Sequence, residues 1–512
     1  MTRLPLGCLA LLLAPGPLLA QAPPAAELTA AIDARLDAAW KAAGVKPARE
    51  VDDAEYLRRV TLDLTGAIPE EEAARSFLKS KGNDRRARLV RGLLYGQGYA
   101  RSMANRWANL LIGRQRVLDT GGETSPLVLW LAQQLAANTP WDEVVRRLIA
   151  AEGTLEENGA VAWLLTYDGR PEEATGNALR VFCGIDVQCA QCHDHPFDPS
   201  VKQRDFWGLA AFFARAGAKQ EMDRPALREK RDGEVRIPAM AGMRHGPVVA
   251  PRFLGAGQDL PLGRDTHRRQ ELARLLTAPG HRAFALATVD RFWSFFFGEP
   301  LVKPDGGGPP ALTELRDLLA AELLKSGHDV RRLCEAIVLT KAYQRAAAGD
   351  PKAKGAQQAL FARARLRPLP PEQLWSSLER AVALEAYGSG TPEERAQRRR
   401  DWRAQFFRTF AGDESTGDGE QATVPQALAL INGPLTNEIL RAGPDSGFLK
   451  QLLAMPADER LESLFLRVLS RPPTSGERRA LTEGGRSSEQ ELRQVQDVLW
   501  GLLNSSEFLY NH

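Results

Sequence analysis

The sequence has 512 residues, and its 67 Lys and Arg residues against 64 Asp and Glu leave a net charge of only +3. This balance, with no basic tail or stripe, gives no indication of nucleic acid as a partner. Five cysteines in a chain of this length exclude a disulfide-stapled scaffold, and the length itself predicts about two or three domains.

Residues 1–22 have the features of a secretory signal. Arg3 provides the positive start, Leu6–Leu13 is apolar, and Leu18–Ala22 contains small residues suited to cleavage. Pro15 and Pro17 interrupt the apolar run, which is too short to stay as a membrane span. We therefore expect an exported protein, periplasmic or extracellular, with no stable membrane span after the signal is removed.

Most of the remaining sequence has the periodicity of amphipathic helices. Within residues 25–43, Leu28, Ile32, Leu36 and Trp40 recur every fourth residue and form one apolar stripe. Strand signals are scarce, so the sequence predicts a mainly α fold. Further helices are predicted over 53–64, 85–94, 100–112, 126–135, 141–151 and 172–187, with another beginning at Pro69.

A Cys-x-x-Cys-His motif follows the last of these helices, as Cys189, Cys192 and His193. This spacing is typical of c-type haem attachment. Two thiols three residues apart lie on one side of a helical turn, where each can form a thioether with one of the two vinyl groups of one porphyrin. The following imidazole, that of His193, can then ligate the iron. The motif predicts haem c as the cofactor.

The same stretch is also compatible with a metal site or with a purely structural role. Thiolates and imidazoles are the usual ligands of tetrahedral zinc, so Cys189, Cys192, His193 and His195 can be combined into a zinc site. The two histidines are so close in sequence that all four residues could ligate only on an irregular loop. A metal could instead be held by His193, His195, Asp194 or Asp198. The two cysteines could also form a short disulfide. Alternatively, the motif could be a corner between a helix and a loop, without a chemical function.

The character of the sequence changes over residues 217–264. Helical periodicity is lost there, and prolines recur with glycines between them. A linker or extended surface loop is the favoured interpretation, with short strands around Glu234–Ile237 as the alternative. Helical periodicity resumes at Arg268. We therefore predict two adjoining helical domains, 23–216 and 265–512, joined by a Pro/Gly-rich, partly extended linker at 217–264.

At several places the chain resembles the secreted planctomycete cytochrome-like proteins, in which a DUF1549 (PSCyt2-like) domain precedes a DUF1553 (PSD1-like) domain. The stretches that carry the resemblance are Leu57–Gly66 and Val187–Asp198 for the first domain, and Arg291–Trp293, Phe296–Gly298, Thr423–Leu428 and Leu502–His512 for the second. The resemblance implies a cytochrome-like protein of unsettled activity. Cys183 stands where it implies an aliphatic residue, which places a third thiol near the motif.

Three functions follow from these observations. The first is an exported mono-haem protein that exchanges electrons with a periplasmic redox partner. The second is a protein that binds zinc or another metal, including a hydrolase linked to polysaccharide breakdown. The third is a non-catalytic helical scaffold with a structural Cys/His corner. No nucleophile triad and no His-Glu-x-x-His motif supports the hydrolase.

If haem is bound, its sixth coordination position is open or is filled from far along the chain. His195 follows His193 too closely to cross the porphyrin. The candidates for a distant ligand are His245, His267, His281, His328, Met240, Met243 and His512. For His512 there are two interpretations: a solvated tail after a capped helix, or docking against the first domain as a metal ligand or as a hydrogen-bond anchor for Asp194 or Asp198.

Overall fold

The computed structural model describes residues 25–196, 201–221, 223–238, 246–255, 257–303, 306–383, 391–410, 433, 447–482 and 487–512. The protein is 62% helical and 6% strand, with two domains and a region between them, so the mainly α prediction is confirmed. Several predicted features lie outside the described residues: the signal at 1–22, Asp198, the distal candidates Met240, Met243 and His245, and the Thr423–Leu428 stretch.

Eleven α-helices precede the region between the domains, counted over the described residues. They are α1 (Ala25–Ala42), α2 (Asp53–Thr65), α3 (Glu71–Lys79), α4 (Arg85–Leu94), α5 (Gln97–Ile112), α6 (Arg114–Asp119), α7 (Pro126–Ala136), α8 (Trp141–Ile149), α9 (Val161–Leu165), α10 (Pro171–Phe182) and α11 (Gln203–Phe213). The predicted stripe of α1 is buried at Leu28, Ile32, Leu36 and Trp40.

The region between the domains contains most of the strands that the structure describes. They are β2 (Ala216–Glu221), β3 (Arg224–Glu229), β4 (Val235–Arg236) and β5 (Val248–Val249), while β1 (Gly153–Thr154) lies earlier in the chain. β3 lies between β1 and β2 in an antiparallel sheet, and β4 pairs with β5. The backbone is partly extended, as predicted.

The described residues of this region include a part that is packed into the fold. Ala226 and Leu227 of β3 are at most 1% exposed. The buried Arg268 guanidinium donates to the carbonyls of Ala211 and Gly233, and so joins the region to α11 and to the helix that begins at Arg268. These contacts involve single buried residues and backbone carbonyls, for which the local sequence carries no periodic signal.

Twelve α-helices follow this region among the described residues. They are α12 (Arg268–Leu276), α13 (Arg282–Phe297), α14 (Pro310–Lys325), α15 (Val330–Val338), α16 (Lys354–Ala359), α17 (Pro371–Ala381), α18 (Pro392–Phe410), α19 (Gly447–Leu453), α20 (Ala457–Leu469), α21 (Ser475–Thr482), α22 (Ser488–Leu503) and α23 (Ser506–Leu509). Two short strands, β6 (Arg367–Pro368) and β7 (Tyr510–Asn511), pair antiparallel. No helix in the described part of the chain is both long and apolar enough to cross a membrane.

Helix α2 lies between the two large hydrophobic cores. The main core extends from Leu28 to Ala362 and includes Val60 and Leu64 of α2. The second core is built mainly from residues 369–508 and includes Leu62 of α2. Every residue from Tyr56 to Leu64 is buried, so α2 has no solvated face along this stretch. It ends at Gly66, whose φ of 76° is the left-handed conformation that favours glycine at a helix C-terminus.

The buried carboxylate of Asp63, on α2, gathers side chains from distant parts of the chain. Both its oxygens accept from Arg367 Nη2, at 2.9 and 2.8 Å, while Tyr343 Oη donates at 2.7 Å and Asn511 Nδ2 at 2.9 Å. Arg106 Nη2 lies 3.9 Å from the same carboxylate. Burial and then the charge of Asp63 raise the pKa of Tyr343 well above its usual value, which keeps the phenol protonated as a donor.

Two arginines on α2 bind the second half of the chain through backbone carbonyls. Arg58 donates to the carbonyls of Val468 and Phe508, at 2.9 and 2.8 Å, and burial lowers its pKa to about 10. Arg59 donates to the carbonyl of His512 at 2.7 Å. Through Asp63, Arg58 and Arg59, α2 holds the last residues of the sequence against the first domain.

We expect Asp63→Asn to lower the free energy of unfolding by about 3–5 kcal/mol, because it removes the counter-charge that faces the partly buried Arg367 guanidinium. Urea denaturation of the full chain, followed by tryptophan fluorescence, measures the loss. Asp37→Asn is the matched control. Its ion pair with Lys341 is about half exposed on both sides, so its removal should cost about 1 kcal/mol or less. Equal losses in the two variants would contradict the central role of Asp63.

Candidate functional site

The Cys-x-x-Cys-His motif begins on a 3₁₀ turn, Gln188–Gln191, between α10 and α11, and Cys192 and His193 follow the turn directly. Val187 and Ala190 are fully buried and hold the turn against the main core. Cys189, Cys192 and His193 are exposed. Cys192 is the residue directly after the turn and keeps a helical backbone, with φ −102° and ψ −29°. Side chains three residues apart eclipse in 3₁₀ geometry, so we infer that the two cysteines lie along one edge of the turn.

Helix α11 fixes the turn through hydrogen bonds. The carbonyl of Gln191 accepts from Trp207 Nε1 at 3.0 Å and from Gln203 Nε2 at 3.2 Å. Asp194 Oδ1 accepts from the backbone N–H of Gln203 at 3.0 Å, and Lys202 Nζ lies 3.3 Å from the same carboxylate. The backbone hydrogen bond first, and then Lys202, hold the pKa of Asp194 below its usual value.

The imidazole of His193 is oriented by its own backbone neighbour. Its Nδ1 lies 2.7 Å from the carbonyl oxygen of Asp194. A carbonyl only accepts, so Nδ1 carries the proton and Nε2 presents a lone pair when the ring is neutral. This is the tautomer in which an imidazole can ligate a metal through Nε2 while a second group orients it.

All four cysteines among the described residues are free thiols. Cys183 and Cys334 are buried, and burial raises the pKa of each thiol to about 12, which suppresses their reactivity. The two motif cysteines are exposed. The chain therefore presents a pair of accessible thiols at the motif and keeps its other two described thiols inert.

The described residues that lie close enough together to bind a metal ion are not those of the motif. Within the described part of the chain, the one group of three His, Cys, Asp or Glu side chains close enough to hold a metal ion is Glu152, Glu229 and His267. Arg269 already lies 2.7 Å from Glu229 Oε2, and His267 Nε2 lies 2.6 Å from Glu152. These contacts form a self-satisfied ion-pair cluster. Cys189, Cys192, His193, Asp194 and His195 do not converge in this way, and a zinc site that includes Asp198 stays a prediction.

The distant candidates for an axial ligand have other contacts. His281 Nδ1 contacts the carbonyl of Leu276 at 2.8 Å, and His328 packs on Phe284. His512 is held at α2 by the contact of its carbonyl with Arg59, and burial lowers the pKa of its imidazole. The end of the sequence is therefore docked against the first domain, and the anchor is α2 and not Asp194.

A second candidate site was not predicted from the sequence. A cleft of about 1390 Å³, here called the interdomain cleft, lies between α2, α3 and α5 on one side and α17, β6 and β7 on the other. The described motif residues Cys189, Cys192 and His193 are not among the residues that line this cleft. The sequence carries no local signal for this cleft, because its lining comes from segments far apart in the chain.

Comparison with known families gives two matches. Residues 31–218 match the PSCyt2 family, a protein of unknown function (DUF1549), and residues 268–484 match the PSD1 family, a protein of unknown function (DUF1553). The resemblance drawn from the sequence, with the domains in this order, is confirmed. No curated protein and no solved structure matches the chain.

Deleting Asn511 and His512 should destabilise the protein by about 2–5 kcal/mol. The deletion removes the pair of Asn511 with Arg367, one of the two residue pairs between β7 and β6, and takes one hydrogen-bond partner each from the buried groups of Asp63 and Arg59, at a cost of about 1–3 kcal/mol per group. His512→Ala is the control and should cost clearly less, because Arg59 binds the backbone carbonyl, which the substitution keeps. Unchanged urea denaturation after the deletion would show that the docked end contributes nothing.

Proposed function

We propose that this chain, which belongs to the two-domain PSCyt2–PSD1 type, is an exported protein that attaches one c-type haem at Cys189 and Cys192 and exchanges electrons with a periplasmic redox partner. The observation that carries the proposal is the pair of exposed, free thiols on one edge of a fixed turn, followed by an imidazole whose Nε2 is available.

The residues present fit the chemistry of covalent haem attachment. Thioether formation needs two reduced, accessible thiols at this spacing, and both motif cysteines meet that requirement while Cys183 and Cys334 do not. An axial imidazole needs a fixed tautomer, and the carbonyl of Asp194 provides it for His193. Haem c, when bound, supplies a one-electron carrier.

The surroundings of the turn support exchange with a partner rather than enclosed catalysis. Gln188, Cys189, Cys192 and His193 are exposed, and the aromatic residues of α11 that follow them, Phe206 and Phe212 among them, are buried in the main core. A group held at this turn lies at the surface, where a redox partner can approach. The leader at 1–22 supports the export that c-type attachment requires.

Zinc binding, hydrolysis and a structural corner have less support among the described residues. A zinc site at the motif requires four ligands to converge, and the described Cys, His and Asp side chains there do not. A metal-dependent hydrolase has the same requirement. A purely structural corner does not account for two thiols and an imidazole that are all exposed rather than packed in the core they would stabilise.

The test is to produce the full chain in a host that carries out c-type cytochrome maturation. We expect about one haem per chain, retained after denaturation and seen as a pyridine haemochrome. Replacing both Cys189 and Cys192 by alanine should abolish it, because no thioether can then form.

Cys334→Ala is the matched control and should retain the haem, since this thiol is fully buried and lies 3.7 Å from Tyr99 Oη. Stoichiometric zinc without a Soret band in the purified protein would overturn the proposal. So would full covalent haem in the double-cysteine variant.

A further inference from the structure

The interdomain cleft has one wall formed by α5. Three residues within about one turn of α5 line the cleft on this side: Arg101, Ser102 and Asn105. The side chain of Ser102 is only 9% exposed. Its hydroxyl has no hydrogen-bond partner among the described residues, and the hydroxyl oxygen keeps some contact with solvent. Gly66 makes room for it, since a Cβ on Gly66 would lie 3.1 Å from Ser102 Oγ.

Neighbouring groups on this wall also have hydrogen-bonding capacity left. Asn105 donates its amide N–H to the carbonyl of Arg101 at 3.2 Å, and within the described ranges its Oδ1 has no donor. The guanidinium of Arg101 is exposed and has no partner in the part of the chain that the structure describes. The wall thus offers a hydroxyl, an amide oxygen and one cation.

The opposite wall also offers uncharged hydrogen-bonding groups that have no partner among the described residues. Gln373 of α17 is 6% exposed and donates to the carbonyl of Leu62 at 3.2 Å, which leaves its Oε1 without a partner among the described residues. The hydroxyls of Ser376 and Tyr510, which also line the cleft, have no hydrogen bond to any residue that the structure describes. Phe295 also lines the cleft, but its ring is already covered by the Arg106 guanidinium, which lies 5.5 Å from the ring centroid.

Most charges in the cleft are already neutralised within the protein. Arg114 lies 2.9 Å from Glu372, and Arg467 lies 2.8 Å from Glu71. Arg399 pairs with Glu379 in the same way. Among the described lining residues, the charged groups without a side-chain ion pair are Arg101, Arg380, Glu70, Glu72 and Glu123. This unpaired charge is mainly acidic, which is unfavourable for a polyphosphate or nucleic acid, whereas carboxylates and uncharged donors and acceptors suit a ligand rich in hydroxyl groups.

We propose that the interdomain cleft binds a polyhydroxylated glycan, as an oligosaccharide. Sugar hydroxyls both donate and accept, and so match Ser102, Asn105, Gln373 and Arg101. The volume of about 1390 Å³ exceeds the roughly 300–1,000 Å³ of ordinary small-molecule pockets, which favours several sugar units over one. This inference does not depend on the haem.

The test is isothermal titration calorimetry of the full chain with five probes: cellohexaose, xylohexaose, mannohexaose, laminarihexaose and a casein peptide digest. We expect at least one hexasaccharide to bind. The double variant Ser102→Ala/Asn105→Ala should weaken that binding at least about tenfold, because two hydrogen bonds are lost. Alanine is favourable in helices, so we expect the variant to fold, and its thermal unfolding is recorded to confirm this.

Arg101→Ala tests the cation of the same wall and should weaken hexasaccharide binding about threefold to tenfold. Arg116→Ala, an exposed arginine on α6 outside the cleft, is its matched control and should leave binding unchanged. The proposal is overturned if none of the four hexasaccharides binds, if only the peptide digest binds, or if the α5 double variant binds as tightly as the unaltered chain.

Discussion

The charge of Asp63 is the constraint on which the arrangement of the two domains depends. A carboxylate that is 1% exposed must be matched by donors, and those donors come from Tyr343, Arg367 and Asn511, which lie 280, 304 and 448 residues further along the chain. A buried ion pair of this kind adds little net stability over an apolar pair, but any arrangement that leaves the charge unmatched is strongly disfavoured. Asp63 therefore selects one way of placing the second domain on the first.

The same network forms the floor of the interdomain cleft. Arg106, Arg367 and Asn511 all contact Asp63 and all line the cleft. Because α2 contributes Leu64 to the main core and Leu62 to the second core, the walls cannot separate without exposing apolar surface on both sides of this helix. The cleft is consequently a fixed feature of the paired domains rather than a gap between independent ones.

Local sequence patterns predicted the features that depend on neighbouring residues, but not those that depend on contacts between distant parts of the chain. The stripe of α1 and the spacing of the motif thiols depend on neighbours in the chain, and both were predictable. The role of Asp63 was not, because its partners are hundreds of residues away and because charged residues at helical spacing, as in α2, usually indicate a solvated face. Docking of the last residues against the first domain was one of two interpretations of the sequence. Only the packed structure identifies Arg59 and Asp63 as the residues that bind them.

Helix α10 contacts the motif turn and also a residue that lines the interdomain cleft. Gly176 faces the turn so closely that a Cβ there would lie 2.6 Å from Gln188 Nε2. One residue on, Asn177 Nδ2 contacts the carbonyl of Leu110, which lines the interdomain cleft, at 3.4 Å. Cys189 therefore lies on a turn that packs closely against α10. Only glycine at position 176 leaves room for this packing, so the position of the motif turn is tied to α10 by a close contact that any larger residue would disturb.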